Sequence, residues 1–300
     1  MKASLSCPSC ENSGAKKYQY AEGSILICNK CQLQWTYYCN GFTRADHASE
    51  LQERARKQFH SFYMKSCSIA NPKNYEPYIS FFSYIYRLNS RKSLRILDIG
   101  CGSGMFMKEC LRRGIDVYGV EADSSLESSM PKELKERIIF SRIENVIEFN
   151  RSFDVVTFWD SFEHIPESFS VLDSLRSALN PDVMIFLRVN NNYDIANLFA
   201  RSVSAILPTI GKIFLKICFG FPDHVWNFSE TAMVNMLTKK GWNVVKKRIC
   251  DTPAERFSNN LLIRNAIKIG YIINKCIGGG KIGEYYIVRN DTAHEGIGTK

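Results

Sequence analysis

Leu94-Arg95-Ile96-Leu97-Asp98-Ile99-Gly100-Cys101-Gly102-Ser103-Gly104 is the stretch on which the reading of this chain turns. Its apolar first half predicts a buried strand. Three glycines in five residues then allow a sharp turn and close approach of a ligand to the main chain at the strand's C-terminal edge. Met105 to Arg113 continues as a helix, and a second strand, Asp116-Val117-Tyr118-Gly119-Val120, ends at Glu121 and Ala122. A carboxylate at that place, about 20 residues beyond the turn, can accept hydrogen bonds from both hydroxyls of an adenosine ribose. A nicotinamide-dinucleotide fingerprint, G-x-G-x-x-G, asks for a third glycine at position 105, which is Met105. A nicotinamide oxidoreductase is therefore the least favoured of the readings.

The strand pattern continues outward from this turn. Arg137 to Phe140 predicts a third strand, and Phe153-Asp154-Val155-Val156-Thr157-Phe158-Trp159 a fourth that runs into Asp160-Ser161-Phe162-Glu163-His164-Ile165-Pro166. Glu167 to Leu179 reads as a helix and Val183 to Val189 as a fifth strand. Ser229 caps a helix that runs through Lys240 and stops at Gly241. Asn243 to Ile249 and Tyr285 to Arg289 supply two more strands, while 255–282 matches no motif.

With these stretches, and with the cysteine pairs Cys7/Cys10 and Cys28/Cys31 near the N-terminus, the chain resembles the class I S-adenosylmethionine-dependent methyltransferases, and more narrowly a bacterial branch with an N-terminal zinc ribbon that modifies small molecules and glycans. The resemblance rests on Asp98 to Gly104, Glu121, Phe153 to Ile165 and Asp223-His224-Val225-Trp226-Asn227-Phe228-Ser229. It implies an α/β fold, a Rossmann-like seven-stranded sheet with an antiparallel last strand. It also implies that Gly100, Gly102 and Gly104 line the methionine part of S-adenosylmethionine, with Asp98 ordering the turn or meeting the amino group. Glu121 and Ala122 would meet the ribose, Ser141 to Glu144 border the adenine, and Asp160 and Ser161 face the methionine moiety. A hydroxyl acceptor must also lose a proton. His164, just beyond the fourth strand, is the first candidate base and His224 the second.

Cys7-Pro8-Ser9-Cys10 and Cys28-Asn29-Lys30-Cys31 are two CxxC knuckles separated by 17 residues. That spacing lets two tight turns close four thiolates around one structural Zn²⁺ with no open position. Tyr18 to Tyr20 and Ser24 to Ile27 read as the strands of a ribbon too small to fold without its metal. The seven other cysteines have no partner at ligand spacing and read as small apolar residues.

The predicted organisation is a zinc ribbon over 1–41, a helical connector over 42–92, a methyltransferase domain over 93–292 with a lid insertion near 193–228, and a tail over 293–300. Within the connector, Ala48 to Met64 reads as helical. Tyr78, Phe81, Phe82 and Ile85 stand at helical spacing and predict a packed face. Lys and Arg exceed Asp and Glu by 7 over residues 1–93 and by 8 over 195–300, but fall 6 short over 94–194. Basic flanks around an acidic centre read either as an ordinary solvated surface or as suited to an anionic small-molecule or glycan-precursor acceptor, such as a nucleotide-sugar or phosphorylated lipid, or to RNA. RNA is the alternative, disfavoured by the absence of an Asn-Pro-Pro-Tyr-type motif after the fourth strand and of a basic run with interleaved aromatics in the ribbon. A non-catalytic cofactor-binding module is the other. Residues 195–221 interleave Phe199, Ile206, Leu207, Ile213, Phe214, Leu215, Ile217 and Phe219 with Arg201, Lys212 and Lys216. They read as a lid over the acceptor or, less simply, as a membrane-surface element. With neither a signal peptide nor a membrane span in view, the expectation is a cytoplasmic protein with peripheral membrane contact as an option.

Overall fold

The computed structural model describes residues 6–21, 23–37, 76–88, 93–146, 152–254 and 260–290. The expected helix over Ala48 to Met64, together with Cys39, Cys67 and the tail, lies outside them. In chain order the strands and helices are β1 (Ala15–Gln19), β2 (Ser24–Cys28), β3 (Gln34–Tyr37), α1 (Glu76–Leu88), β4 (Arg95–Ile99), α2 (Met105–Arg112), β5 (Asp116–Glu121), α3 (Lys132–Lys135) and β6 (Ile138–Phe140). They continue with β7 (Val155–Trp159), α4 (Ser168–Ala178), β8 (Met184–Asn190), α5 (Ile195–Ile206), α6 (Pro208–Phe219), β9 (Trp226–Asn227), α7 (Glu230–Lys239), β10 (Trp242–Cys250), α8 (Leu261–Cys276) and β11 (Ile282–Arg289).

Seven of the described strands form one sheet in the order β10-β11-β8-β7-β4-β5-β6. The pairs β8-β7, β7-β4, β4-β5 and β5-β6 are parallel, and β11 runs antiparallel to both of its neighbours. This is the expected Rossmann-like sheet with its reversed last strand. The central strands are apolar almost throughout because both faces are covered. On one face Ile96, Val117, Val155 and Phe186 pack with Phe106 of α2 and with Tyr78, Phe81, Phe82 and Ile85 of α1. On the other, Leu97, Val156, Ile185 and Ile287 pack with α4, α7 and the N-terminal ribbon.

The ribbon is completed by a strand from the far end of the chain. Its sheet is ordered β1-β2-β3-β9, and β9 adds through Gln34 opposite Asn227 and Trp35 opposite Trp226. Cys7, Leu26 and Trp35 are buried in the same apolar cluster as Leu97 and Val156 of the large sheet. Pro208 starts α6 directly after α5, since a proline is tolerated in the first turn of a helix but not in its interior. The resulting hairpin closes so tightly that a Cβ on Gly211 would lie 2.1 Å from Cα of Ser204. The stretch without a motif contains α8, a 16-residue helix in which Asn274 alone is buried.

Candidate active site

Strands β4, β5 and β7 end at a common edge, and the glycine turn lies there. Gly100 has φ 73°, and a Cβ at that position would stand 2.5 Å from Cβ of Ser161, so both backbone angle and space exclude a side chain. Gly102 and Gly104 also lie in the left-handed region, at φ 54° and 72°. Glu121 ties the turn to the end of β5: its carboxylate accepts from the Gly102 amide at 2.8 Å and from the Asp123 amide at 2.7 Å. Ala122 is exposed at the bend that follows. Ser161 donates to the Ile99 carbonyl at 2.6 Å, which fixes the β7 end against the β4 end. Asp98 is buried beneath the turn and accepts from Thr157 at 2.8 Å. Burial pushes its carboxyl up to about 7, with the Thr157 hydrogen bond opposing and the Glu121 charge adding to the rise.

Asp160 follows β7 with φ 52°, an unusual angle for a non-glycine residue. Its carboxylate is ion-paired with Arg188, a buried side chain on β8. Trp159, Arg188, Glu284 and Arg248 stand in register across β7, β8, β11 and β10. The charges therefore form a lateral row: Glu284 lies 3.7 Å from Arg188 and 2.8 Å from Arg248. Trp159 packs edge-on against Tyr78 of α1 at 4.7 Å between ring centres, so the row is walled by aromatics.

The two histidines meet. Rings of His164 and His224 are 4.6 Å apart and nearly perpendicular, and one ligand-type atom from each lies within 4.8 Å of the buried Glu163 carboxylate. Nδ1 of His164 sits 3.2 Å from the Asp223 carbonyl and 3.5 Å from its carboxylate. Nδ1 of His224 sits 2.8 Å from the Phe219 carbonyl, and the Asn190 side-chain amide is equally close. Burial disfavours the charge on His164, but the Asp223 carboxylate outweighs it and raises the group to about 10. His224 is lowered to about 4 by burial and by the His164 charge. Burial also lifts Glu163 to about 7, His164 opposing and Asp160 adding to the rise. Neighbouring groups are thus driven apart in proton affinity, the arrangement that assigns acid and base roles in a site.

The four knuckle cysteines converge as the spacing requires, with all Sγ atoms within 4.8 Å of one another. Cys7 and Cys31 are 3.4 Å apart and Cys10 and Cys28 3.5 Å, against about 3.8 Å for the edge of a tetrahedron with Zn–S bonds of ~2.3 Å. The knuckles repeat one geometry. Glu11 and Gln32, each just after the second cysteine, have φ 60° and 61°, and their amides donate to the carbonyls of Cys7 and Cys28. Amides of Lys30 and Cys31 point at Sγ of Cys28, at 3.4 and 3.5 Å. The donor set fits a tetrahedral thiophilic ion, with the main chain arranged to stabilise thiolate charge. Of the remaining cysteines, Cys101 and Cys110 are buried as read, whereas Cys276 is exposed.

The methyltransferase-domain family profile matches residues 70–247. The chain belongs to that family. It is a class I S-adenosylmethionine-dependent methyltransferase. Among curated relatives, the ubiquinone biosynthesis O-methyltransferase of Actinobacillus pleuropneumoniae serotype 7 (strain AP76) is 24% identical over 163 residues, 50% of this chain and 69% of the relative. That of Haemophilus ducreyi (strain 35000HP / ATCC 700724) is 28% identical over 177 residues, 54% of this chain and 74% of the relative. Two solved structures share the fold. The plantazolicin methyltransferase BpumL, in complex with a monoazolic desmethylPZN analog and SAH, aligns with TM-score 0.51 at 15% identity, covering 82% of this methyltransferase and 99% of that chain. The magnesium protoporphyrin IX methyltransferase ChlM of Synechocystis PCC 6803, with bound SAH, aligns with TM-score 0.52 at 13% identity, over 79% and 97%. Sequence reading leaves out Arg188, Asn190 and Glu284 of the methyltransferase. An arginine inside the apolar run Met184-Ile185-Phe186-Leu187-Arg188-Val189 is the one signal that marks the first of them.

Proposed function

We propose that this methyltransferase methylates a hydroxyl of a small molecule or glycan precursor, with His224 as the general base. The observation that carries the reading is the histidine pair: the rings lie 4.6 Å apart beyond the β7 end, where acceptor and methyl donor would meet, with Nδ1 of His224 at the Phe219 carbonyl, and burial and the neighbouring ring lower the proton affinity of His224 while, against burial, Asp223 raises that of His164. S-adenosylmethionine supplies an electrophilic methyl on a sulfonium, a leaving group that needs no protonation. The chain's own work is to bind, align and take a proton. The left-handed Gly100, Gly102 and Gly104 shape the turn whose main chain would meet a cofactor's methionine part, and Glu121 presents a carboxylate to the ribose. Asp98 supports the turn from beneath. Asp160, fixed by Arg188, and Ser161, fixed to Ile99, form the floor between cofactor and acceptor. Cys7, Cys10, Cys28 and Cys31 would hold one structural Zn²⁺.

The ribbon's contribution is to position this acceptor side. Ser229 donates to the Cys31 carbonyl at 2.5 Å, Asn192 donates to the Gln32 carbonyl at 2.6 Å, and Arg201 donates to the Gln32 side chain at 2.7 Å. These contacts bracket the segment that carries Asp223 and His224.

Calorimetry of the zinc-loaded protein with S-adenosylmethionine tests the cofactor half, beside Gly102→Arg and Glu121→Ala. Micromolar binding to the wild type and its loss in both variants is the expected result. No binding to the wild type would sink the reading. Nucleotide-sugars, phenolic hydroxyl compounds and RNA assayed in parallel for methyl incorporation test the acceptor half, and incorporation into RNA alone would overturn it.

A further inference from the structure

Thirteen of the seventeen large hydrophobic side chains exposed among the described residues stand on α5, α6, the residue joining them, and α8. Such clustering is unlike the scatter of single apolar residues on an ordinary surface. Ile206, Ile213, Ile217, Leu262, Ile269 and Ile272 are each 59 to 78% exposed. The helices are contiguous. α5 and α6 cross at Ser204 and Gly211, Phe199 and Phe214 pack ring to ring at 5.5 Å, and Asn274 of α8 accepts from the Ile195 amide at 2.7 Å. α8 sets a broad apolar face beside a stripe of Arg264, Lys268 and Lys275 yet buries one residue, Asn274, so its apolar face is left uncovered among the described residues.

The charge on these helices identifies what covers them. Lys212, Lys216, Arg264, Lys268 and Lys275 are basic, Arg201 is turned inward onto Gln32 and Asn192, and there is no acidic residue on α5, α6 or α8. Apolar side chains among cations of one sign match an interfacial helix on an anionic bilayer, where the apolar groups enter the acyl boundary and the basic groups meet headgroup phosphates. A two-fold contact with a second copy would instead set like charges face to face. No described helix is long and apolar enough to cross a membrane, so the contact is peripheral.

We propose that α5, α6 and α8 together form a docking face for an anionic lipid bilayer. The face opens onto the acceptor side of the site. α5 starts directly after Asn190 to Asn192, and α6 ends at Phe219, whose carbonyl meets His224. An acceptor embedded in the bilayer by an apolar tail would present its polar head there.

Flotation of the full-length, zinc-loaded protein with vesicles tests this, using phosphatidylglycerol mixed with phosphatidylcholine against phosphatidylcholine alone. Two variants accompany it: Ile213→Glu/Ile217→Glu, and Lys212→Glu/Lys275→Glu. All four positions are at least partly exposed, and S-adenosylmethionine binding serves as the folding control. The wild type is expected to float with the anionic vesicles at least about tenfold more than with the neutral ones, and to be released in about 0.5 M salt. Each variant should lose about tenfold in flotation while binding cofactor normally. Absence of the wild type from anionic vesicles would overturn the proposal, as would equal flotation on neutral ones or full retention by both variants. A concentration-dependent dimer in sedimentation, abolished by Ile213→Glu/Ile217→Glu and without vesicle binding, would reassign the face to a second copy.

Discussion

His164 and His224 touch, yet their surroundings pull them in opposite directions. Asp223 outweighs burial at the first, while burial and the neighbouring charge act together at the second. Two predictions follow from the histidines. His224→Asn should lower kcat by about 10²- to 10⁴-fold with cofactor affinity unchanged, read by methyl incorporation and calorimetry. In the wild type the acid limb of kcat/KM should lie near pH 4; His164→Gln removes the cation beside His224 and should move that limb toward the ordinary histidine range. A limb that does not move would assign the base elsewhere. Asp98 carries a stability signature of its own. Its folded pKa, about 7, stands above the unfolded value of 3.8. Its contribution is therefore fully present below the unfolded pKa and is lost as pH rises through the folded one. Asp98→Asn abolishes that dependence, so the melting temperature of the variant should gain on the wild type by several degrees between about pH 4 and pH 7 and hold that gap above. Thermal melts across pH check it.

Among the elements, β9 matters out of proportion to its two residues. It closes the ribbon sheet, and the segment just before it carries Asp223 and His224, so the ribbon and the acceptor side are joined by main-chain hydrogen bonds. Cys28→Ser should abolish zinc retention, measured by elemental analysis, and lower the melting temperature by roughly 10 °C. Because the glycine turn is tied to Glu121, Ile99 and Ser161 rather than to the ribbon, the variant's kcat should fall further than its cofactor affinity. The charged row through β7, β8, β11 and β10 is another element-level commitment. Glu284→Gln leaves Arg188 to Asp160 alone and takes the charge of its partner from Arg248, which should cost about 1–3 kcal/mol in denaturant unfolding.

In the whole molecule the large sheet has one apolar core on each face, and the ribbon is built into one of them. Hydrogen exchange should therefore show the β2 and β3 amides of the zinc-loaded protein protected on the same scale as those of β8, with both losing protection together on chelation of the metal. A ribbon that exchanges independently of β8 would mean the shared core contributes little. The basic excess of the C-terminal third is concentrated in part on the exposed face of α5, α6 and α8, which turns a bulk charge count into a located surface.

The Rossmann-like sheet with its reversed last strand, the glycine turn with its acidic partner, the four convergent cysteines and the packed face of α1 are all legible in the residues alone. Each is carried by residues close in the chain, through strand and helix periodicity, positive-φ glycines and ligand spacing, so local physics suffices to read it. Tertiary structure alone decided the contact between His164 and His224, the opposite bias of their protonation, the Asp160–Arg188–Glu284–Arg248 row and the completion of the ribbon by β9. Those depend on pairs separated by tens to hundreds of residues, and on burial, which no local pattern encodes. The exposure of α8 belongs with them: an apolar helix reads alike in sequence whether a core or water surrounds it.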